Sequence, residues 1–282
     1  MGAVRRLWME LATALGLRRA GFFIPYRYAH TVEPPAESAA YAALSGLLHS
    51  REEAFLGVIA VISKYADDLG MIGSEPPPAP RWDQDWFPRL DAAAAYVLVR
   101  ENAPARIVEV GCGHSTRFLA RAVADSGHRT SITAIDPGEG ERLGGLPVEW
   151  LRATVQAVGF VPFAALKTED VLSIDSSHIL KLGGDVQYEF LEILPRLKEG
   201  VLIHVHDIFL PAEYPKSWVL KDLAFYNEQY LLQAFLAFNH SFEVVWAGSF
   251  MHLRHADKLE AAFSSYKRNE TWPGSFWIRK IR

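Results

Sequence analysis

Two short segments of the chain combine aspartate with histidine, residue types that move protons or bind metal ions. The first is IDSSH, which contains Asp175 and His178. The second is HVHD, which ends with His206 and Asp207. Histidine titrates near neutral pH and can accept a proton from a hydroxyl group. These four side chains are therefore the first candidates for chemistry.

Both segments follow apolar runs that are typical of buried parallel strands. Neighbouring parallel strands lie about 4.8 Å apart and end at the same edge of a sheet, so we expect the four side chains to converge. His178 or His206 is the candidate general base, and Asp175 is the third candidate catalytic residue. For each histidine, a hydrogen-bonded packing role is the alternative. His204 lies inside the strand and is interpreted as structural.

A glycine turn in the string VEVGCGHST connects a predicted strand to a predicted helix. Gly111 and Gly113 permit a tight turn and let a ligand approach the backbone without a Cβ clash. Glu109 lies near the end of the strand, and Ser115 is placed to cap the helix. A dinucleotide fingerprint requires a third glycine where Thr116 stands, which argues against a nicotinamide cofactor.

Asp136 ends the next predicted strand. An acid at this place can accept hydrogen bonds from both hydroxyls of an adenosine ribose. The alternative is a structural turn or helix cap at Asp136-Pro137-Gly138.

The predicted secondary structure changes near residue 105, from helices alone to alternating strands and helices. Residues 1–104 have apolar residues at helical spacing and a proline-rich break, which predicts an N-terminal helical cap and lid segment. Residues 105–282 alternate β-rich runs with amphipathic helices, which predicts an α/β domain. Its fold is a Rossmann-like, seven-stranded, mostly parallel sheet with helices on both faces. The predicted strands are 107–111, 131–136, 148–151, 171–175, 201–207, 242–248 and 275–280, and the predicted helices are 37–49, 52–69, 89–101, 115–124, 185–197, 218–238 and 256–266.

The motifs together resemble a bacterial family of class I methyltransferases grouped with macrolide and sugar O-methyltransferases. The resemblance rests on the E-V-G-C-G turn, IDSSH, the downstream GGDV and HVHDIFLP, and it covers roughly residues 81–248. It implies a sheet whose seventh strand inserts antiparallel beside the fifth. It also implies that S-adenosylmethionine is the cofactor and that a small molecule accepts the methyl group, with oxygen as the preferred atom. A nicotinamide-dependent oxidoreductase and a non-catalytic cofactor-binding module are the alternatives.

By this resemblance, the glycine turn holds the amino-acid part of the cofactor, and Glu109 faces its ammonium group. The cofactor-binding candidates are Glu109, Gly111, Gly113, Ser115, Asp136 and Asp175.

Some related enzymes bind a magnesium-type ion through aspartates at the ends of the fourth and fifth strands. Asp175 and Asp207 match those positions here, and His206 stands where a relative has a second acid. A hard ion such as Mg²⁺ prefers carboxylate oxygens, whereas imidazole favours softer metals or no metal. The candidate metal ligands are therefore Asp175, Asp207 and His206, and a site without metal is the alternative.

Two aromatic segments are candidates for the pocket of the methyl acceptor. Trp82 and Trp86 lie in RWDQDWFPRLD, before the predicted domain, and Tyr214 and Trp218 lie in FLPAEYPKSW, after the fifth strand. Loops at this edge of a sheet commonly carry substrate contacts. For the first segment, a packing role between the cap and the domain is the alternative.

Composition and charge limit the partners of the chain. Its 282 residues are 50% hydrophobic, and its formal net charge of -4 gives no electrostatic footprint for nucleic-acid phosphates. Cys112 is the only cysteine, which excludes an internal disulfide and suits a reducing compartment.

The N-terminal segment resembles a signal peptide only in part. Arg5 and Arg6 precede an apolar stretch over residues 7–17, but Glu10 interrupts it. We expect an amphipathic helix that packs on the body or on a second subunit. Since no apolar run is long enough to cross a bilayer, we expect a cytoplasmic protein without a membrane or nucleic-acid partner. A homo-oligomer is left open.

Overall fold

A computed structural model gives the structure of the chain. It describes residues 3–21, 26–31, 41–73, 75–138, 143–222, 224–269 and 273–282. The first four residues of the helix predicted at 37–49 lie outside these ranges.

Seven strands form one sheet in the order β3-β2-β1-β4-β5-β7-β6. The strands are β1 Arg106–Val110, β2 Ser131–Ile135, β3 Val148–Leu151, β4 Val171–Ile174, β5 Leu202–Val205, β6 Phe242–Ala247 and β7 Phe276–Lys280. Strands β1 to β5 are mutually parallel, and β7 runs antiparallel to both β5 and β6. The predicted sheet, including the antiparallel seventh strand beside the fifth, is confirmed.

The central strands are apolar on both faces because helices cover both. Every residue of β4 and β5 is buried. The helices are α1 Ala3–Ala14, α2 Ala42–Ser50, α3 Glu52–Lys64, α4 Ala66–Gly70, α5 Arg89–Asn102, α6 His114–Ser126, α7 Val155–Val158, α8 Val161–Ala164, α9 Asp185–Tyr188, α10 Glu228–Ala237 and α11 Gly248–Ala262. Within the described residues, no helix is both long enough and apolar enough to cross a bilayer.

Four helices differ from the predicted ones. The predicted helix at 52–69 is divided at Tyr65 into α3 and α4. The one at 185–197 is a single α-turn followed by a π-turn, Glu189–Ile193, and a 3-10 turn, Leu194–Arg196. Pro195 contributes to this irregularity because it lacks an N–H donor. The one at 256–266 begins earlier, directly after β6.

The fourth difference matters for the site. The helix predicted at 218–238 consists of a π-turn, Trp218–Asp222, and the separate helix α10. Before α10, the N–H groups of Asn227 and Glu228 donate to the carbonyl of His178 at 3.1 and 3.3 Å. Tertiary hydrogen bonds thus replace helical ones and direct Glu228 towards the end of β4.

Residues before position 105 share the core of the sheet. The ring of Phe55, on α3, lies 6.4 Å from that of Trp246 and 5.9 Å from that of Phe250. Helix α5 is buried along nearly its whole length. The predicted division into cap and domain stays a prediction, but α5 brings one of its side chains to the site.

Candidate functional site

The glycine turn after β1 is fixed by the neighbouring strand end. Gly111 has a φ of +83°, and a Cβ there would lie 1.9 Å from the backbone oxygen of Asp175. The N–H of Asp175 donates to the carbonyl of Val110 at 2.8 Å. The close approach that requires this glycine is therefore made by the chain's own backbone, which joins the turn to the end of β4.

Gly113 is different, because a Cβ added to it would meet nothing within 4 Å. It is the N-cap residue of α6, and its N–H donates to the Thr116 hydroxyl at 2.9 Å. Space for a ligand thus lies beside Gly113. The prediction that Ser115 caps the helix is wrong: Ser115 lies inside the first turn and is buried, because the helix begins one residue earlier than predicted.

Glu109 lies behind this turn and is fully buried. Its Oε2 accepts a hydrogen bond of 2.5 Å from the Thr116 hydroxyl, while its Oε1 has no hydrogen-bond partner within the described part of the chain. Burial raises the pKa of Glu109 to about 8, against the nearby hydroxyls of Thr116 and Ser115, which lower it. A buried carboxylate oxygen without a partner is costly, so this atom is suited to meet a cationic ligand group.

Asp136 follows β2 at the same edge of the sheet. Its Oδ1 accepts the N–H of Gly138 at 2.7 Å, so the predicted turn is formed. Its backbone carbonyl accepts the indole N–H of Trp150 at 2.9 Å. A carboxylate has several acceptor positions, so this turn is compatible with a second role towards a ribose.

The structure brings Asp175, His178, His206 and Asp207 together, and we call them the imidazole–carboxylate cluster. His178 Nε2 lies 3.4 Å from Asp175 Oδ1 and 3.4 Å from Asp207 Oδ2. His206 Nδ1 lies 3.2 Å from Asp175 Oδ1 and 3.6 Å from Asp207 Oδ1. Each imidazole therefore contacts both carboxylates.

Two further buried acids each contact the remaining ring nitrogen of one imidazole. The sequence did not assign either acid to the site. Glu228 Oε2 lies 2.9 Å from His178 Nδ1, and Asp91 Oδ2 lies 3.3 Å from His206 Nε2. Both acids are fully buried. A signal for Asp91 exists in the sequence, because an acid that precedes the apolar run AAAAYVLV needs a buried partner.

Two members of the cluster have left-handed backbone. His178 has a φ of +58° and Asp207 a φ of +54°. Such conformations cost energy in residues other than glycine and are retained where surrounding contacts fix them. The carbonyl of His178 is held by the start of α10, and Gly274 packs so closely on Asp207 that a Cβ added to the glycine would lie 3.0 Å from the Asp207 Cα.

Asp175 and the two imidazoles of the cluster shift one another's pKa in opposite directions. Burial lowers the pKa of His178 and of His206, but the surrounding carboxylates outweigh it and raise both well above the usual value. Burial raises the pKa of Asp175, but the two imidazoles outweigh it and hold that pKa far below the usual range. The cluster is thus a set of ion pairs.

Asp175, His178 and His206 also have one ligand atom each within 4.8 Å of the others. Two imidazole nitrogens and one carboxylate oxygen form a donor set that suits transition metals, whereas Mg²⁺ is usually held by oxygens. Among the described residues, Asp207 is not in this group. The site therefore fits Mg²⁺ poorly.

An aromatic cluster of Tyr214, Trp218 and Tyr226 lies beside His178. The ring centroid of Tyr226 is 5.0 Å from that of His178, 5.8 Å from that of Trp218 and 6.1 Å from that of Tyr214. Tyr214 is buried, and its hydroxyl accepts the N–H of Gln229 at 3.1 Å. Two predicted acceptor-pocket residues thus lie around Tyr226, which the sequence did not indicate.

The two earlier tryptophans lie elsewhere. Trp82 packs between Phe118 and Phe263, with ring centroids at 5.0 and 5.1 Å, and its indole N–H donates to a backbone carbonyl. Trp86 is 79% exposed. Phe87 is the residue of this segment that reaches the cluster, with its ring 5.1 Å from that of His206.

His204 has the environment of a structural residue. Its ring nitrogens lie 3.0 Å from the Ser173 hydroxyl and 2.8 Å from that of Ser275. Its ring stacks on Trp277 at 4.7 Å. Burial lowers the pKa of His204 to about 3, and the neighbouring imidazole of His206 adds to this.

Residues 108–208 match the sequence model of a protein family described as a methyltransferase domain. The matched span begins in β1 and ends just after the HVHD segment, so it contains both the glycine turn and the imidazole–carboxylate cluster. No curated protein matches the chain.

Among solved structures, the chain is similar to the O-methyltransferase TomG from Streptomyces achromogenes, in complex with SAM, at 16% identity over 84% of this chain and 96% of that one, with a TM-score of 0.43. It is similar to an O-methyltransferase from Bacillus cereus, in complex with SAH, at 13% identity over 80% and 91%, with a TM-score of 0.42. It is also similar to cofactor-bound Rv0187 from MTB, at 15% identity over 89% and 99%, with a TM-score of 0.43. At such values the likeness does not extend to a substrate.

Proposed function

We propose that the chain transfers a methyl group from S-adenosylmethionine to an oxygen atom of a small molecule, a proposal that the match of residues 108–208 to a methyltransferase family model supports. The observation that carries this proposal is the buried Glu109 carboxylate, whose Oε1 has no partner in the described residues. It lies behind a glycine turn at the carboxyl edge of the sheet, where α/β folds bind ligands. An amino-acid ammonium group would satisfy this oxygen.

The surrounding residues fit the remainder of the cofactor. The open space at Gly113 admits a ligand to the backbone, and Asp136 lies at the end of β2, where an acid can bind the ribose hydroxyls. Bound there, S-adenosylmethionine supplies a methyl group on a positively charged sulfur. The chain's own contribution is to align the acceptor and to exclude water.

The imidazole–carboxylate cluster supplies a group that can take the proton of an acceptor hydroxyl. His178 is the better placed of the two histidines because it alone lies against the aromatic cluster. Glu228 holds its Nδ1 at 2.9 Å, while the contacts of its Nε2 are longer, at 3.4 Å. The Nε2 atom is therefore the one that can exchange its partners for a hydroxyl. The carboxylates raise the pKa of His178, so its neutral form is a strong base, and the proton of its cationic form passes to solvent before the acceptor hydroxyl is bound.

The aromatic cluster favours a flat or apolar acceptor. Tyr226 and Trp218 are only partly buried, so their rings can contact a ligand beside His178. No step of this proposal requires a metal ion. The cytoplasmic location and the number of copies in the assembly stay predictions.

Mass spectrometry with a deuterated methyl donor tests the proposal. The purified protein would be incubated with labelled S-adenosylmethionine and a panel of phenols, catechols and sugars. We expect the label on an oxygen of at least one aromatic hydroxyl compound. We expect His178→Asn to abolish the transfer while S-adenosylhomocysteine still binds. Label on nitrogen or carbon alone, or full activity of His178→Asn, would contradict the assignment.

A further inference from the structure

Helix α1 has an exposed apolar stripe. Its side chains are at least 53% exposed, and they are Val4, Leu7, Trp8, Leu11 and Leu15. Their spacing places them on one side of the helix. Leu15 follows the last residue of α1, but its N–H donates to the carbonyl of Leu11, so the helical path continues to it. Ala12, outside the stripe, is buried, and residues 17 and 18 fold back to donate to its carbonyl. The stripe itself is exposed to solvent.

The same segment is basic. Residues 3–21 contain four arginines, at positions 5, 6, 18 and 19, and one acid, Glu10, which gives a local net charge of +3. The whole chain has a net charge of -4, so the rest of the molecule is acidic. A positive, apolar helix on an acidic protein is typical of a segment that lies on an anionic lipid surface.

The arginines also argue against a second copy of α1 as the occupant of the stripe. A parallel pair would place Arg5 and Arg6 beside their equivalents. An antiparallel pair would set one segment with a net charge of +3 against another. Either arrangement brings like charges together, whereas lipid phosphates would neutralise them. Trp8 supports the same choice, because tryptophan is enriched at the boundary between headgroups and acyl chains.

We propose that α1 docks the protein on an anionic lipid surface, with the apolar stripe in the interface and the exposed Arg5, Arg18 and Arg19 at the phosphates. The sequence led us to expect no membrane partner, but that expectation rested on the lack of a spanning segment. A helix that lies in the interface needs none.

The position of α1 links this surface to the candidate site. The guanidinium of Arg6 donates to the carbonyl of Asp222 at 3.4 Å. Leu220 and Phe225, on either side of Asp222 in the chain, are 56% and 65% exposed, and Phe225 directly precedes Tyr226 of the aromatic cluster. Docking would therefore bring the aromatic cluster to the lipid surface. Resting on the proposed function, this assigns an amphiphilic acceptor that arrives from the bilayer.

Vesicle flotation of the full chain tests the docking independently of methyl transfer. One set of vesicles contains phosphatidylcholine alone, and the other contains phosphatidylcholine with phosphatidylglycerol. We expect binding to the anionic set only, with a loss on adding salt. The double variant Leu7→Gln/Leu11→Gln should bind at least about tenfold more weakly, because it removes two buried leucines from the interface.

A matched control carries the same kind of change elsewhere. Leu182→Gln/Phe238→Gln alters two side chains that are 88% and 89% exposed and lie outside α1, so it should bind vesicles like the native chain. Calorimetry with S-adenosylhomocysteine on each variant shows whether the domain is intact. Absence of native binding to anionic vesicles, or equal binding by the α1 variant, would overturn the proposal. Light scattering would also overturn it if the native chain is a dimer, the α1 variant is a monomer, and neither binds vesicles.

Discussion

The hydroxyl of Thr116 donates a 2.5 Å hydrogen bond to Oε2 of Glu109, and it accepts the N–H of Gly113 at 2.9 Å. One side chain thus connects the glycine turn with the buried acid behind it. A glycine at position 116, as in a dinucleotide fingerprint, would leave both groups without this partner. The residue that argues against a nicotinamide cofactor also has a positive role in shaping the pocket.

Removing the Thr116 hydroxyl should destabilise the fold. In Thr116→Val the shape is kept, but a buried carboxylate oxygen and a backbone N–H lose their partner, at a cost of about 2 kcal/mol. Thr116→Ser keeps the hydroxyl and is the matched control. Urea unfolding measures both, and a valine variant as stable as the serine variant would contradict the assigned role.

The two glycines of the turn should respond differently to alanine. Gly111→Ala would place a Cβ 1.9 Å from the Asp175 carbonyl, at a positive φ, so we expect a strong loss of stability. Gly113→Ala meets no atom within 4 Å, so its thermal unfolding should change little. Its affinity for S-adenosylhomocysteine should nevertheless fall, because the methyl group enters the ligand space.

Thermal unfolding and calorimetry on both variants check this contrast. An unchanged thermal unfolding temperature in Gly111→Ala would show that the turn does not pack tightly against Asp175. Native affinity in Gly113→Ala would show that the ligand does not approach this backbone.

Glu109 should make the stability of the ligand-free protein depend on pH. Its pKa of about 8 in the folded chain lies above the ordinary value of 4.5, so between these values the folded state binds more protons than the unfolded state. The free energy of unfolding should therefore fall as the pH rises from 4.5 to 8, by on the order of 5 kcal/mol. Glu109→Gln should lack this slope. Unfolding by urea at several pH values compares the two, and parallel curves would refute the expectation.

The seven strands and the meeting of IDSSH with HVHD could be predicted because both follow from local patterns, whereas the antiparallel place of the seventh strand was implied by the family resemblance. Apolar runs marked the strands, and the ends of parallel strands share one edge. Asp91, Glu228 and Tyr226 could not be predicted in the same way, because they come from α5, from the start of α10 and from the loop before α10, which tertiary packing brings to the cluster. The break before α10 is a related case: the carbonyl of His178 takes the N–H groups that a continuous helix would use, and no local signal shows this competition.

The imidazole of His206 should prevent Mg²⁺ from binding at the imidazole–carboxylate cluster. The native donor set contains two imidazoles, so millimolar Mg²⁺ should leave the thermal unfolding temperature unchanged. His206→Asp supplies an oxygen ligand and adds a negative charge beside Asp91, Asp175 and Asp207, so the variant should be less stable without metal. Mg²⁺ should then restore part of its stability.

His206→Asn is the control for this substitution, since it removes the imidazole without adding a charge. A strong stabilisation of the native protein by Mg²⁺, or no response of the aspartate variant to it, would contradict this reading of the cluster.

Titration calorimetry with S-adenosylhomocysteine tests the central claim most directly, since it requires no knowledge of the acceptor. The native chain should bind one molecule. Asp136→Ala should bind at least about tenfold more weakly, which corresponds to about 1.4 kcal/mol. Asp67→Ala, an exposed acid on α4, should bind like the native chain. Absence of binding by the native chain, or unchanged binding by Asp136→Ala, would contradict the assignment of the glycine turn and Asp136 to a methyl-donor pocket.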